Sequence, residues 1–585
     1  MPKHNSLPVW ESQPLPTVSQ KEELQIMKKN KIPTFLLAFL PLLSLALLHA
    51  VPAPAQDLVF RYPQVNEPAH FDVSRPVREL GREVPLPHSP KLIHPVRLPK
   101  SQKLAGAAGG VPGRLADEAL QMSAGPLISA TIGLNLPGVS INGPTLDCGN
   151  VLGFLLAPSD VNLAVGDTQV VQWVNLCFAV FDKATGAVIA GPIAGNQLWA
   201  GFGGPCETQN DGDIIVLWDK LAHRWLMSQN VFSAPFLTCV AVSTTPDATG
   251  TFFRYAFPQA NGFPDYPKWG VWSDGYYQHN NAFGGPNGFG SEPCAYDRAK
   301  MLKGIPHARQ ICFFAPTIFD DSMLPADIDS AAAPPPAGQP EMYLGSIDNT
   351  PPTSNVIYSY LFHVDFDNPG NSTFTGFGGT TPISVPIFTL SCGGSGFGDC
   401  VPQKATSRKL ESIGDRLLYR LAYRNFGDHQ AWLVTHDVTT ATGQVGERWY
   451  EFRAPENSTS AAVFQSGTFA GPPGDTNFRW MGSIAMDKMG DIALGYSISN
   501  RGIFPSINYT GQTAGDPLGT MESEATIVNG TGSQRDTGGR WGDYTSMALD
   551  AADDCTFWYT NQYYMDTAAF GWSTRLASIK FPNCH

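Results

Sequence analysis

The chain has 585 residues, of which only 15% are charged, and a formal net charge of −13. That balance repels phosphate backbones and excludes nucleic acid as a partner. The 58 glycines, 49 prolines and abundant aromatics (34 Phe, 18 Tyr, 13 Trp) argue for strands and turns over helices.

The N-terminus carries a targeting pattern. Lys28-Lys-Asn-Lys31 is a basic run, and Phe35-Leu-Leu-Ala-Phe-Leu-Pro-Leu-Leu-Ser-Leu-Ala-Leu-Leu48 is apolar. At about 14 residues the apolar run is short for a membrane span. Ala53-Pro-Ala55 before Gln56 fits a small-x-small cleavage site. Residues 27–55 therefore read as a signal peptide and 1–26 as an upstream extension, with Met27 the expected start. An uncleaved N-terminal anchor is the alternative. No other long apolar run occurs, so no transmembrane domain is expected after cleavage, and the mature chain is expected to be secreted, extracellular or periplasmic.

Residues 56–145 are Pro-rich and weakly patterned, and read as a mostly disordered linker or prosegment with a few short strands near 127–141. All ten cysteines follow the signal. An even count in an exported chain reads as disulfides. Cys392–Cys400 and Cys294–Cys312 are plausible local pairs, and Cys555–Cys584 would tie the last strand down; the spacing does not fix the connectivity.

From about residue 146 the chain repeats. Ser546-Met-Ala-Leu-Asp550 matches Ser483-Ile-Ala-Met-Asp487, and Arg540-Trp541 answers Arg479-Trp480. A third copy is Ile215-Val-Leu-Trp-Asp219, followed by Arg224-Trp-Leu-Met-Ser228. Each copy alternates apolar and polar residues, turns at an Asp, and alternates again. Period-2 alternation buries one face of a strand, and an Asp opening a tight turn bonds its own backbone two residues on. Each copy is therefore a β-hairpin, and a hairpin needs neighbours to bury its face. About seven such units of roughly 60 residues fill 146–585, which predicts an all-β fold, a seven-bladed β-propeller of four-stranded antiparallel blades.

Four motifs carry a resemblance: Ser159-Asp-Val-Asn-Leu-Ala-Val-Gly166, Gly201-Phe-Gly-Gly-Pro-Cys-Glu207, Phe263-Pro-Asp-Tyr-Pro-Lys268 and Arg540-Trp-Gly-Asp-Tyr544. On these the chain resembles a family of exported bacterial β-propeller proteins. The resemblance covers about residues 150–585 and implies a propeller and export, but no activity. More loosely the chain is similar to sialidase-type propellers with Asp-box turns. Ser243-Thr-Thr-Pro-Asp247-Ala-Thr-Gly250-Thr-Phe252 is a degenerate echo of that box with changed spacing, which counts against sialidase activity itself.

Propellers bind ligands on loops entering their innermost strands. Arg424, Arg479 and Arg540 precede or lie in such strands, and converging arginines grip a carboxylate or sulfate by bidentate bonds. Alternatively, the Arg-Trp pairs stack between blades as cation–π contacts. Asp543, Tyr544 and His429 are the nearest candidates for acid–base work, and Asp265 is a candidate ligand contact. Glu207, Asp211, Asp265 and Asp543 form the carboxylate pool for glycoside hydrolysis; His279, Tyr277 and His429 form the base pool for a lyase. Asn210-Asp-Gly-Asp213 offers Asp211 and Asp213 as oxygen ligands for Ca²⁺, without the closing Glu of an EF-hand. Two functions follow: an extracellular binding or scaffold module for a glycan or a cell-surface or matrix partner, or a carbohydrate-active enzyme, hydrolase or lyase, on an acidic glycan. The discriminating question is whether the arginines converge with Asp543 and His429 in one pocket or are buried among the blades.

Overall fold

The computed structural model describes residues 62–80, 117–315, 322–330, 332–346, 353–375, 382–393 and 399–585. The expected upstream extension and signal peptide lie outside them. Among the described residues the secondary structure is almost entirely antiparallel β, and no helix is long and apolar enough to cross a membrane.

Seven strands form the inside of the molecule: β1 Asn162–Val165, β2 Ile215–Asp219, β3 Gly262–Val271, β4 Leu324–Ile328, β5 Leu418–Asn425, β6 Phe478–Met486 and β7 Ser546–Leu549. Each packs beside the next, and β7 packs beside β1, so the ring closes. From each inner strand an antiparallel sheet runs outward. From β1, for example, it continues through Gln169–Val174, Cys177–Asp182 and Val188–Ala194. The sheets of β4 and β5 are joined at their inner edges, where Ala326–Ile328 pair in parallel with Leu421–Tyr423. This is a β-propeller.

The repeat is the inner hairpin of each sheet. β7 turns back through Thr556–Tyr564, β6 through Ile492–Ser499 and β2 through Arg224–Val231. The Asp at each turn does what its position predicts. Asp487 Oδ1 accepts the N–H of Met489 (2.8 Å) and of Asp491 (3.0 Å). Asp550 Oδ1 accepts Ala552 N–H (2.9 Å), and Asp219 Oδ1 accepts Leu221 N–H (3.1 Å). Between the sheets the tryptophans fill the core; Trp480 and Trp541, from the two Arg-Trp pairs, lie 5.7 Å apart, both fully buried.

Three stretches of the Pro-rich region join this framework. Gln64–Asn66 and His70–Val73 add fifth strands to the sheets of β3 and β2. Thr131–Pro137 pairs with Trp572–Lys580 and completes the four-stranded sheet of β7. Edge strands of this kind are held by backbone bonds, so they leave little periodicity in the side chains. Residues 81–116 lie outside the described residues.

All ten cysteines are paired: Cys148–Cys177, Cys206–Cys239, Cys294–Cys312, Cys392–Cys400 and Cys555–Cys584. The two local pairs and the tie of the last strand expected from the sequence are among them. Five disulfides fit an extracellular protein.

Candidate functional site at the channel mouth

The chain enters its inner strands in an unusual backbone conformation. Asp160 (φ 44°), Asp213 (φ 49°) and Ser322 (φ 56°) stand two residues before β1, β2 and β4. Asp543 (φ 60°) stands just before β7, while Tyr266 (φ 51°) and Met481 (φ 58°) sit at bulges inside β3 and β6. All are left-handed and none is glycine. Each such residue costs on the order of 1–3 kcal/mol and persists only where its surroundings fix it; such strain gathers at functional sites.

The fixing contacts run from blade to blade. Tyr266 N–H donates to Asp213 Oδ2 (3.0 Å), and the Tyr266 hydroxyl donates to the carbonyl of Asp543 (3.0 Å). Asp160 N–H donates to the Gly542 carbonyl (2.9 Å), and Met481 N–H to Asp437 (3.2 Å). Ser322 exchanges bonds with Asn281 (2.9 and 3.0 Å) and accepts Arg416 Nη1 at 2.8 Å.

Inside this ring lies a dense set of charges. Asp160, Asp265, Glu411, Asp543, Lys268, Arg416 and Arg540 are all buried; Asp213 is half-buried and the most open of the acids. Arg540 holds Glu411 through Nε and Asp543 through Nη2, and Arg416 grips Asp415 at 2.7 and 3.0 Å. Lys268 Nζ lies 3.5 Å from the ring centre of Tyr266 and 3.9 Å from that of Tyr544.

Burial shapes their acidity. It pushes Asp160 and Asp265 well above the carboxylate range, with neighbouring carboxylates adding to the rise. Asp213 rises to about 6 and Glu411 to about 8. Burial lowers the Lys268 ammonium to about 7 against the pull of Asp213, Asp160 and Asp543. Burial and mutual repulsion thus push the neighbouring carboxyl groups of the mouth upward to different extents, the kind of spread acid–base chemistry uses. Asp160 Oδ1, Asp543 Oδ1 and Glu411 Oε2 are buried without a hydrogen-bond partner among the described residues.

Of the residues singled out from sequence, Asp543, Tyr544, Arg540, Asp265 and Asp213 meet here. The others do not. Arg424, at the far end of β5 from Arg416, pairs with Asp554 (2.5 and 3.0 Å). Arg479 pairs with Asp475 and Glu524, both at 2.6 Å. Arg424 lies 5.8 Å from the Phe426 ring; the cation–π partner of Arg479 is Phe469 (5.5 Å), not the adjacent Trp480, which is buried in the core. His429 follows β5, 2.7 Å from Asp428 and stacked on Phe426. His279 is buried against Ser291 at 2.6 Å, its basicity lowered to about 3 by burial. The Tyr277 hydroxyl donates to Asp274 (2.9 Å). Glu207 accepts two loop N–H groups.

Asp211 Oδ2 accepts Phe232 N–H (2.9 Å) while Asp213 accepts Tyr266 N–H, so the expected calcium pair clamps two different loops. Among the described residues, the cluster of metal-capable side chains is Glu292, Cys294 and Cys312. Its two cysteines are joined as a disulfide, which removes their thiolates as ligands.

Sequence reasoning missed Lys268, Asp160, Glu411, Asp415 and Arg416. Asp160 and Lys268 stand inside two of the quoted motifs; the signal for Asp160 was the repeated acid at strand entry, which also gives Asp213 and Asp543.

No family model matches the chain, and no curated protein matches it. Solved structures similar to it include a neuraminidase-like protein of the A/flat-faced bat/Peru isolate, with 8% identity, a TM-score of 0.33, and coverage of 69% of this chain and 98% of that one. A DUF4623 family protein from Bacteroides eggerthii matches at 8% identity and TM-score 0.30, over 68% and 78% of the two chains. Drosophila Plexin A, in complex with Semaphorin 1b, matches at 9% and 0.31, over 79% and 89%.

Proposed function

We propose that this chain is a secreted propeller that acts as an extracellular binding or scaffold module for a glycan or a surface partner. One observation carries the reading. Arg424, Arg479 and Arg540, the groups best suited to grip an acidic ligand, are at most 5% exposed, and each is already paired with carboxylates of the chain itself. Such cations brace the blades and leave recognition to the loops and outer rims.

A second reading rests on the strained ring of strand-entry residues. Here Asp213, Asp265, Asp543 and Tyr544 act at the channel mouth of a carbohydrate-active enzyme, hydrolase or lyase, with Arg540 holding Asp543 in place. Ca²⁺ at Asp211 and Asp213 belongs to this reading as a stabiliser of the mouth loops.

The test uses the mature protein from Gln56 on acidic and neutral polysaccharides, reading new reducing ends and unsaturated-uronate absorbance, with and without EDTA. Retention on one glycan or on cells without turnover supports the binding module. Turnover abolished by Asp213→Asn in a folded protein replaces it with the enzyme.

A further inference from the structure

A second feature lies away from the mouth. A cavity of about 470 Å³ opens beside the sheet of β2, walled by Phe202, Pro205, Pro235, Phe236, Leu237 and Pro258. That volume is in the range of small-molecule sites, which are mostly apolar with a few placed polar groups.

The cavity's lining is selective. Its polar side chains are His70 and Gln259, and no Asp, Glu, Lys or Arg lines it. Gln259 donates Nε2 to Thr238 Oγ1 (2.8 Å), which leaves its buried Oε1 without a partner among the described residues. A sugar with hydroxyls all round would lose more hydrogen bonds to water than two groups return. An anion would find no cation in the lining. A flat apolar ring fits phenylalanine and proline walls.

The wall is also built before any ligand arrives. Gly201, Gly203 and Gly204 are left-handed (φ 78°, 77° and 70°), and Glu207 accepts the N–H of Gly201 (2.8 Å) and Gly203 (2.7 Å). Cys206–Cys239 ties the loop to the sheet. Between these glycines Phe202 is pinned edge-on against His70 at 4.5 Å and lies 5.1 Å from Arg254. Arg254 is itself fixed by Asp72 at 2.6 and 2.7 Å. His70 and Asp72 come from the N-terminal strand His70–Val73, so that strand completes the cavity. A preformed wall spares a ligand the entropy of ordering it.

We propose that this cavity is a binding site for a small, neutral, apolar ring compound, held by the phenylalanine and proline walls. It stands apart from the glycan reading and does not depend on it.

The experiment titrates the mature protein with N-phenyl-1-naphthylamine, a neutral fluorescent ring compound. The expected result is saturable one-to-one enhancement, displaced by indole and not by glucose or galacturonate. Ala260→Trp and Ala234→Trp place a ring over the cavity from exposed positions; each is expected to weaken binding about tenfold or more. Leu518→Trp, exposed and outside the lining, is expected to leave it unchanged. Absence of saturable binding overturns the proposal. So does unchanged affinity in both cavity variants with a native melting profile, or displacement by the sugars in preference to indole.

Discussion

The hydroxyl of Tyr266 donates to the backbone carbonyl of Asp543 at 3.0 Å, across 277 residues of sequence. It ties β3 to the entry of β7 at the channel mouth, and both of its ends are left-handed residues. Tyr266→Phe removes the donor and leaves a buried carbonyl unpaired. The expected loss is about 1–2 kcal/mol, read by denaturant unfolding. An unchanged midpoint would show that the ring is held without this link.

Lys268 sits fully buried between Tyr266 and Tyr544 beside carboxylates. Lys268→Met keeps most of the volume and removes the cation. Breaking a buried charge set by deleting one partner costs about 3–5 kcal/mol. Asp213→Asn in the same chain removes one of the acids that Lys268 offsets, and is expected to restore part of the loss at pH 6.5, where Lys268 is charged and Asp213 ionised. A double variant no more stable than Lys268→Met alone would refute the coupling.

Stability is expected to fall as pH rises from 6.5 to 8. Burial raises Glu292 and Asp487 to about 7, and Glu411 and Glu447 to about 8. Unfolded carboxyls titrate near 4. Between those values the folded chain binds more protons than the unfolded one, so the stability these groups give is complete at low pH and drains away as pH climbs through the folded values. Each excess proton is worth about 1.4 kcal/mol per pH unit. Three groups oppose this. Burial lowers His279 to about 3 and His436 well below the usual imidazole value, and their effect ends near pH 6.5; Lys268, lowered to about 7, counts only above that. Melting temperatures across pH 6.5–8 check the sign, and a rise with pH would contradict it.

Asp487 closes its hairpin with two backbone bonds while burial and Asp491 raise its pKa to about 7. Asp487→Ala loses the bonds and is expected to cost about 1–2 kcal/mol. Asp487→Asn keeps an acceptor oxygen and sheds the charge, so above pH 7 it is expected to match or exceed the parent. Equal losses in the two variants would mean the turn depends on the charge.

Much of the fold was written in local chemistry. Alternating apolar residues around Asp219, Asp487 and Asp550 specify hairpins, because pleat and turn are settled within a dozen residues. The pairs Cys294–Cys312 and Cys392–Cys400 were readable because short loops bring their ends together, and Cys555–Cys584 because it ties down the last strand. The mouth was half legible: Arg540, Asp543 and Tyr544 share one segment with Asp543 at a strand entry.

The rest depends on distances that sequence does not encode. Lys268 looks like any surface lysine until β3 carries it between Tyr266 and Tyr544. Arg424 and Arg479 look alike as ligand-gripping cations. Only the packing of the sheets decides that Asp554 and Glu524 reach them first, because a buried guanidinium takes the nearest carboxylate. The strands Gln64–Asn66, His70–Val73 and Thr131–Pro137 were set by exposed sheet edges hundreds of residues away. Backbone pairing recognises an open edge, whatever the side chains that cross it.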